Sequence, residues 1–232
     1  MNRKLWTCLG LLLLMVLVYI SWQLGQDRII QVDEAQNAMQ ARLFATGKLR
    51  EFMFAAPFML LGPMTWIARA AKSSAELFHD LRFLFTLLFW ANLLLMTKAA
   101  GVHLRSFPGL VVLLFAATLA PMWDYGFEIR HDNLLLTCVL GLWLLVRPRQ
   151  DQRPWTAVWP GMLAAFSHFI AFKAFCFWIP LLLLHLWWTC STRRDVLRVA
   201  GWLGLGLAIG FGFAWGLQLS AGIAEMGKHN YQ

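Results

Sequence analysis

The sequence predicts an all-α, polytopic membrane protein with about seven transmembrane helices and a large extracytoplasmic first loop that carries interfacial helices. Three observations carry that prediction. Of the 232 residues, 59% are hydrophobic and only 14% charged, against roughly 25% charged in soluble domains. Long apolar runs recur along the chain, apolar all round rather than along one stripe, as helices surrounded by lipid or protein are. Basic residues gather in short loops between alternate runs, the pattern of the positive-inside rule. The 13 Trp and 18 Phe supply aromatic belts for both interfaces. A net charge of +8 suits nucleic acid in a polar chain. In one this apolar it serves topology and lipid headgroups, so no nucleic-acid partner is expected.

The first element is "MNRKLWTCLGLLLLMVLVYISW". Its basic start and apolar core are those of a signal peptide, yet the core runs into Ser21, Trp22 and Gln23 with no small-x-small cleavage site. About 18 apolar residues predict a retained first span over residues 5–24. The remaining spans are expected at 81–97, 107–123, 133–146, 155–172, 174–189 and 199–220. Within the first loop, "FMFAAPFMLLGPMTWIARA" (52–70) is apolar but interrupted by Pro57 and by Gly62-Pro63. Proline lacks a backbone donor and collides with the preceding turn, so one or two short interfacial helices are expected here. Charge fixes the count. With seven spans and a cytoplasmic N-terminus, Arg3, Lys4, Lys98, Arg105, Arg147, Arg149, Arg153, Arg193, Arg194 and Arg198 all lie in short cytoplasmic loops. An eighth span at 52–70 turns three of those loops outward. Residues 25–80 and 124–132 are then extracytoplasmic, and every acidic residue except Asp151 and Asp195 faces outward. Cys8, Cys138, Cys176 and Cys190 lie in or beside apolar runs without metal-ligand spacing and read as small buried hydrophobes.

Two acidic clusters border the outward face. In "QVDEAQNAMQARLFATGKLR", Asp33 is expected as a helix N-cap, with Gln36 completing a capping box and Gly47 as the stop. The helix of about 14 residues between them places Ala35, Ala38, Met39 and Leu43 on one side, suited to lying along the membrane surface. Asp33 and Glu34 then read either as cap and first-turn charge or as a base kept ionised by the helix N-terminus. The second cluster, "YGFEIRHDNLLL", holds Glu128, Arg130, His131 and Asp132. Asp132 can cap the following helix, Arg130 can pair with Glu128 or snorkel to headgroups, and His131 suits a headgroup rather than a metal.

An outward Asp-Glu opening a surface helix, followed by a proline-bearing interfacial segment, resembles the first loop of the GT-C glycosyltransferases. The branch it is most similar to contains the protein O-mannosyltransferases and the aminoarabinose lipid A transferases. "RHDNLLL", about a hundred residues later at the head of a membrane helix, resembles that family's second acidic site. The resemblance spans nearly the whole chain, 1–232, as one transmembrane domain. The family often carries paired prolines where "AAPFML" has one, and its members are usually longer, so a fragment, a compact relative or an inactive one is expected.

The resemblance implies an inverting glycosyl transfer from a polyprenyl-phosphate sugar to a lipid, glycan or protein acceptor at the outer face of a membrane, by preference a bacterial inner membrane. Asp33, Glu34 and Asp132 are the implied catalytic residues. Arg130, His131, Lys48, Arg50 and Lys173 are the candidate cations for the donor phosphate, and Lys173 reads equally well as a lysine snorkelling to an interface. No metal cofactor is implied, although the carboxylates leave a divalent ion open. The two clusters are expected to converge on one site. Rival classes are a transporter and a non-catalytic scaffold. A transporter favours internal repeats and charges near the bilayer midplane, whereas no clear repeat is found and the charges here lie at helix ends. The glycine run "GWLGLGLAIGFGFAWG" (201–216) permits close helix packing in any of these classes.

Overall fold

The computed structural model describes residues 3–27, 29–46, 58–104, 106–119, 126, 128–148 and 153–220. Among these the chain is all-helical, with no strand. The helices are α1 (Arg3–Asp27), α2 (Val32–Ala45), α3 (Phe58–Ala70), α4 (Ser74–Ala99), α5 (Phe107–Ala117), α6 (His131–Val146), α7 (Val158–Ile170), α8 (Phe175–Thr189) and α9 (Arg193–Ser220). Each expected span falls largely in helix, but the lengths differ. Among the described residues, two helices are both long and apolar enough to cross a membrane: Ser74–Ala99 and, within α9, Arg193–Leu217. Both start before their apolar runs, because polar residues open the helix there: Ser73 with Glu76 for α4, Thr192 with Asp195 for α9.

The 52–70 segment departs from expectation as well. Its described part is one uninterrupted helix, with Gly62 and Pro63 inside it, while residues 52–57 lie outside the described residues. Pro63 forgoes a single bond, to the Met59 carbonyl, and a helix that buries Met64 and Ala68 retains enough packing to tolerate that.

The contacts divide the chain into two compact units, 1–48 with 61–137, and 49–60 with 138–232. In the first, α4 packs against α1 and α5. Its core is Phe89 and Leu93 of α4 with Leu113, Ala116 and Ala117 of α5, flanked by Leu14 and Leu17 of α1. Polar pins cross this apolar layer. The Trp90 indole N–H donates to Ser21 Oγ at 3.0 Å, Asn92 Nδ2 donates to the Asn133 carbonyl at 3.0 Å, and Thr137 Oγ1 donates to Asn92 Oδ1 at 2.7 Å. Asn92 thereby fixes the first turns of α6 against α4, in an apolar layer where an unmade bond is costly. Gly101, at φ 78°, supplies the left-handed residue that ends α4.

The second unit is built on glycine contacts between α7 and α9. A Cβ on Gly206 would collide with the Val158 carbonyl oxygen, one on Gly161 with the Leu203 carbonyl oxygen, and one on Gly210 would meet Ala165 Cβ at 2.7 Å. Small residues let two backbones touch. Leu142 and Val146 of α6, Ala164, Leu182, Val199 and Leu203 form the core beside that seam. His185, buried on α8, binds the Val146 carbonyl through Nδ1 at 2.9 Å. Gly206→Ala is therefore expected to destabilise the unit by about 1–3 kcal/mol, the usual cost of overpacking, despite a better helix propensity. Gly212→Ala, which meets nothing within 4 Å, should be neutral or slightly stabilising. Thermal denaturation of the two variants side by side in one detergent checks the contrast, and equal melting temperatures would contradict the seam.

Candidate active site

The site starts at the N-terminus of α2, where the cap differs from expectation. Gln31, not Asp33, is the N-cap, which puts Asp33 at the second helical position and Glu34 at the third. Glu34 reaches back to accept the Gln31 N–H at 3.1 Å, the returning half of a capping box. The buried face also differs from the expected one. Glu34, Asn37, Ala38 and Ala41 point inward, while Met39 is exposed. The reason is tertiary: this face meets polar partners, and its carboxylate and amide find them.

Glu34, 1% exposed, is the hub. Its Oε2 accepts from Arg82 Nη2 of α4 at 3.0 Å, and its Oε1 accepts from the Ile129 backbone N–H at 3.3 Å. Arg82 is itself buried, and its Nη1 donates to the Gln26 carbonyl at 3.1 Å, one of the last-turn carbonyls of α1 that has no partner within its own helix. One turn along α2, Asn37 Nδ2 donates to the Ile129 carbonyl at 2.6 Å. Glu34 and Asn37 together thus hold both backbone groups of a residue more than ninety positions away.

That grip sets the second cluster. The Glu128 carbonyl accepts from the Arg130 N–H and from Asn133 Nδ2, each at 2.8 Å, which folds 128–133 into a tight turn at the head of α6. Arg130 emerges from the turn toward three carboxylates: Asp132 at 3.2 Å, Glu128 at 3.3 Å and Asp33 at 3.4 Å. Burial works against the cation, but the hydrogen bond to Glu128 and the attraction of Asp132, Asp33 and Glu128 outweigh it. The Arg130 pKa is raised above the ordinary arginine value, so it stays cationic over the whole working pH range. Asp33 keeps 56% of its side-chain surface exposed, Asp132 33%, and Glu128 2%. Asp132 lies in the first turn of α6, which begins at His131, rather than capping it. His131 Nε2 is 3.6 Å from Asp132.

Of the residues singled out from sequence, Asp33, Arg130, His131 and Asp132 therefore come together, with Glu34 directly beneath. Both aspartates touch the same guanidinium nitrogen, so they lie within two hydrogen-bond lengths of each other. Lys48 and Arg50 lie outside the described residues. Lys173 is exposed in a short 3-10 turn, Phe172–Ala174, between α7 and α8 of the second unit. Sequence reasoning passed over Arg82, Asn37 and the depth of Glu128. Arg82 had a usable signal, a lone arginine entering an apolar helix, where an ionisable residue implies a partner.

Compared with known proteins, the chain gives no significant match to any family model, curated protein or solved structure.

Proposed function

We propose that this chain is a GT-C-like membrane glycosyltransferase of about seven spans, which moves a sugar from a polyprenyl phosphate to an acceptor hydroxyl at the extracytoplasmic face. One observation carries the reading. Asp33 and Asp132, a hundred residues apart in sequence, meet on Arg130, and a pair of juxtaposed outward acidic sites is what the resemblance implies.

Asp33 is the more exposed carboxylate and acts as general base. It takes the acceptor hydroxyl proton as that oxygen bonds to the anomeric carbon from the face opposite the phosphate. The carbon–oxygen bond to the lipid phosphate breaks, and the phosphate leaves with the bonding pair, giving inversion. Arg130 orients both aspartates rather than waiting for the donor. Within the cluster, His131 is the candidate cation for the leaving phosphate; Lys48, Arg50 and Lys173, expected from the sequence in the same role, lie outside the cluster.

The test is an assay of purified protein in liposomes against a panel of polyprenyl-phosphate sugars, followed by release of free lipid phosphate. Release dependent on the protein and on an added acceptor is expected. No release with any donor would sink the reading and favour a scaffold. Topology is checked separately. Single cysteines at Gln36 and Tyr125 should react with an impermeant thiol reagent added outside, and one at Gln150 should not. Labelling of position 150 from outside overturns the seven-span arrangement.

A further inference from the structure

We infer that Arg82 and Glu34 are positioning residues, a buried clasp that holds the second acidic turn at the register in which Arg130 meets Asp33. The catalytic consequence rests on the glycosyltransferase reading; the clasp itself does not.

The clasp ties together three stretches, the end of α1, the first turn of α2 and the turn before α6. Arg82 Nη1 takes the C-terminal carbonyl of α1 at Gln26, and Arg82 Nη2 takes Glu34 Oε2 of α2. One guanidinium thus joins the end of α1 to the first turn of α2. The other oxygen of Glu34 takes the Ile129 N–H, and Asn37 takes the Ile129 carbonyl. Ile129 is 0% exposed, so its backbone has no water with which to exchange those bonds, and Arg130 follows it directly in the chain. Glu34, locked at 1% exposure by Arg82 and Ile129, is in no position to meet an acceptor hydroxyl. Its carboxylate orients the neighbouring base rather than replacing it.

A plain structural ion pair and a positioning clasp differ in what an apolar replacement restores. Glu34→Leu combined with Arg82→Met removes both charges, so neither partner is stranded, and it also removes the acceptor for Ile129. The double variant is expected to melt above either single variant. Its kcat should nevertheless fall about 10²-fold, the scale of a misplaced catalytic group, with KM for the lipid-linked sugar unchanged. Amide hydrogen exchange across residues 128–130 should speed up by about tenfold, the weight of one lost hydrogen bond, while exchange in the middle of α4 stays as in wild type.

Recovery of wild-type kcat together with stability would reduce the pair to a structural one. Unchanged exchange at Ile129 in the double variant would remove the clasp altogether. Asp33→Asn, run in the same assay, separates the two ideas. If it matches wild type, the base assignment fails, and exchange at Ile129 still decides the clasp.

Discussion

Asp33→Asn is expected to lower sugar transfer by about 10²–10⁴-fold, the contribution of a positioned general base, while the melting temperature barely moves. The geometry makes this a cleaner experiment than a capping aspartate would allow. Gln31 holds the cap position and Glu34 returns the bond to it, so the substitution leaves the start of α2 intact. What is lost structurally is a first-turn charge, about 0.3–1 kcal/mol, and a half-exposed ion pair with Arg130, about 0–1 kcal/mol. Neither approaches the energy needed to move the transfer rate by that factor. Initial rates at saturating donor, with a thermal melt of the same preparation, give the answer. Transfer at the wild-type rate would remove Asp33 as base. It would not promote Glu34, which is buried against Arg82 and Ile129.

The parts of this molecule that were legible in sequence are those governed by short-range rules. Apolar runs locate helices because burial in lipid or protein selects the same residues, and all seven runs are largely helical. The α2 helix, too, has the expected 14 residues. Its register was misread because two patterns overlap there: Asp33 with Gln36, and Gln31 with Glu34, are both spaced as a capping box. Aspartate is the better cap, so local preference chose the first. The fold chose the second, since only then does Glu34 turn inward to Arg82 and Ile129.

The meeting of Asp33 and Asp132 was anticipated only by resemblance, for no local pattern links them. The partners of Arg82 and Asn37 were invisible for the same physical reason. Each acts across a large separation, 48 residues from Arg82 to Glu34 and 92 from Asn37 to Ile129, and hydrogen bonds of that span leave no periodic trace. On the number of spans, composition and helix length give different answers. Composition favours seven spans, while helix length and hydropathy alone favour two, because short helices such as α5, 11 residues long, fall below the roughly 20 residues that cross a bilayer unaided.

Arg82→Met should carry the largest stability penalty of any single substitution at this site, about 3–5 kcal/mol. The Arg82 and Glu34 side chains are 5% and 1% exposed, so removing the cation leaves a carboxylate with almost no water and only backbone donors at Gln31 and Ile129. Coulombic attraction cannot be the net source of that figure, since bringing both ions out of water costs several kcal/mol each. The penalty comes from stranding one of them. Glu34→Leu strands the guanidinium instead and should cost a similar amount. Together they should cost less than either alone, because two apolar side chains replace the pair. The double variant will still fall short of wild type by about 1–3 kcal/mol, since the Gln26 carbonyl and the Ile129 N–H are left without their partners. A double-mutant cycle from denaturation in a single detergent therefore has a predicted sign as well as a size. Additive losses would mean that the two side chains do not share a dry site, and an Arg82→Met variant within about 1 kcal/mol of wild type, the scale of an exposed pair, would mean that water reaches Glu34. In either case the carboxylate beside Asp33 is available for proton transfer after all, and the choice of base between the two would have to be made by their asparagine and glutamine variants.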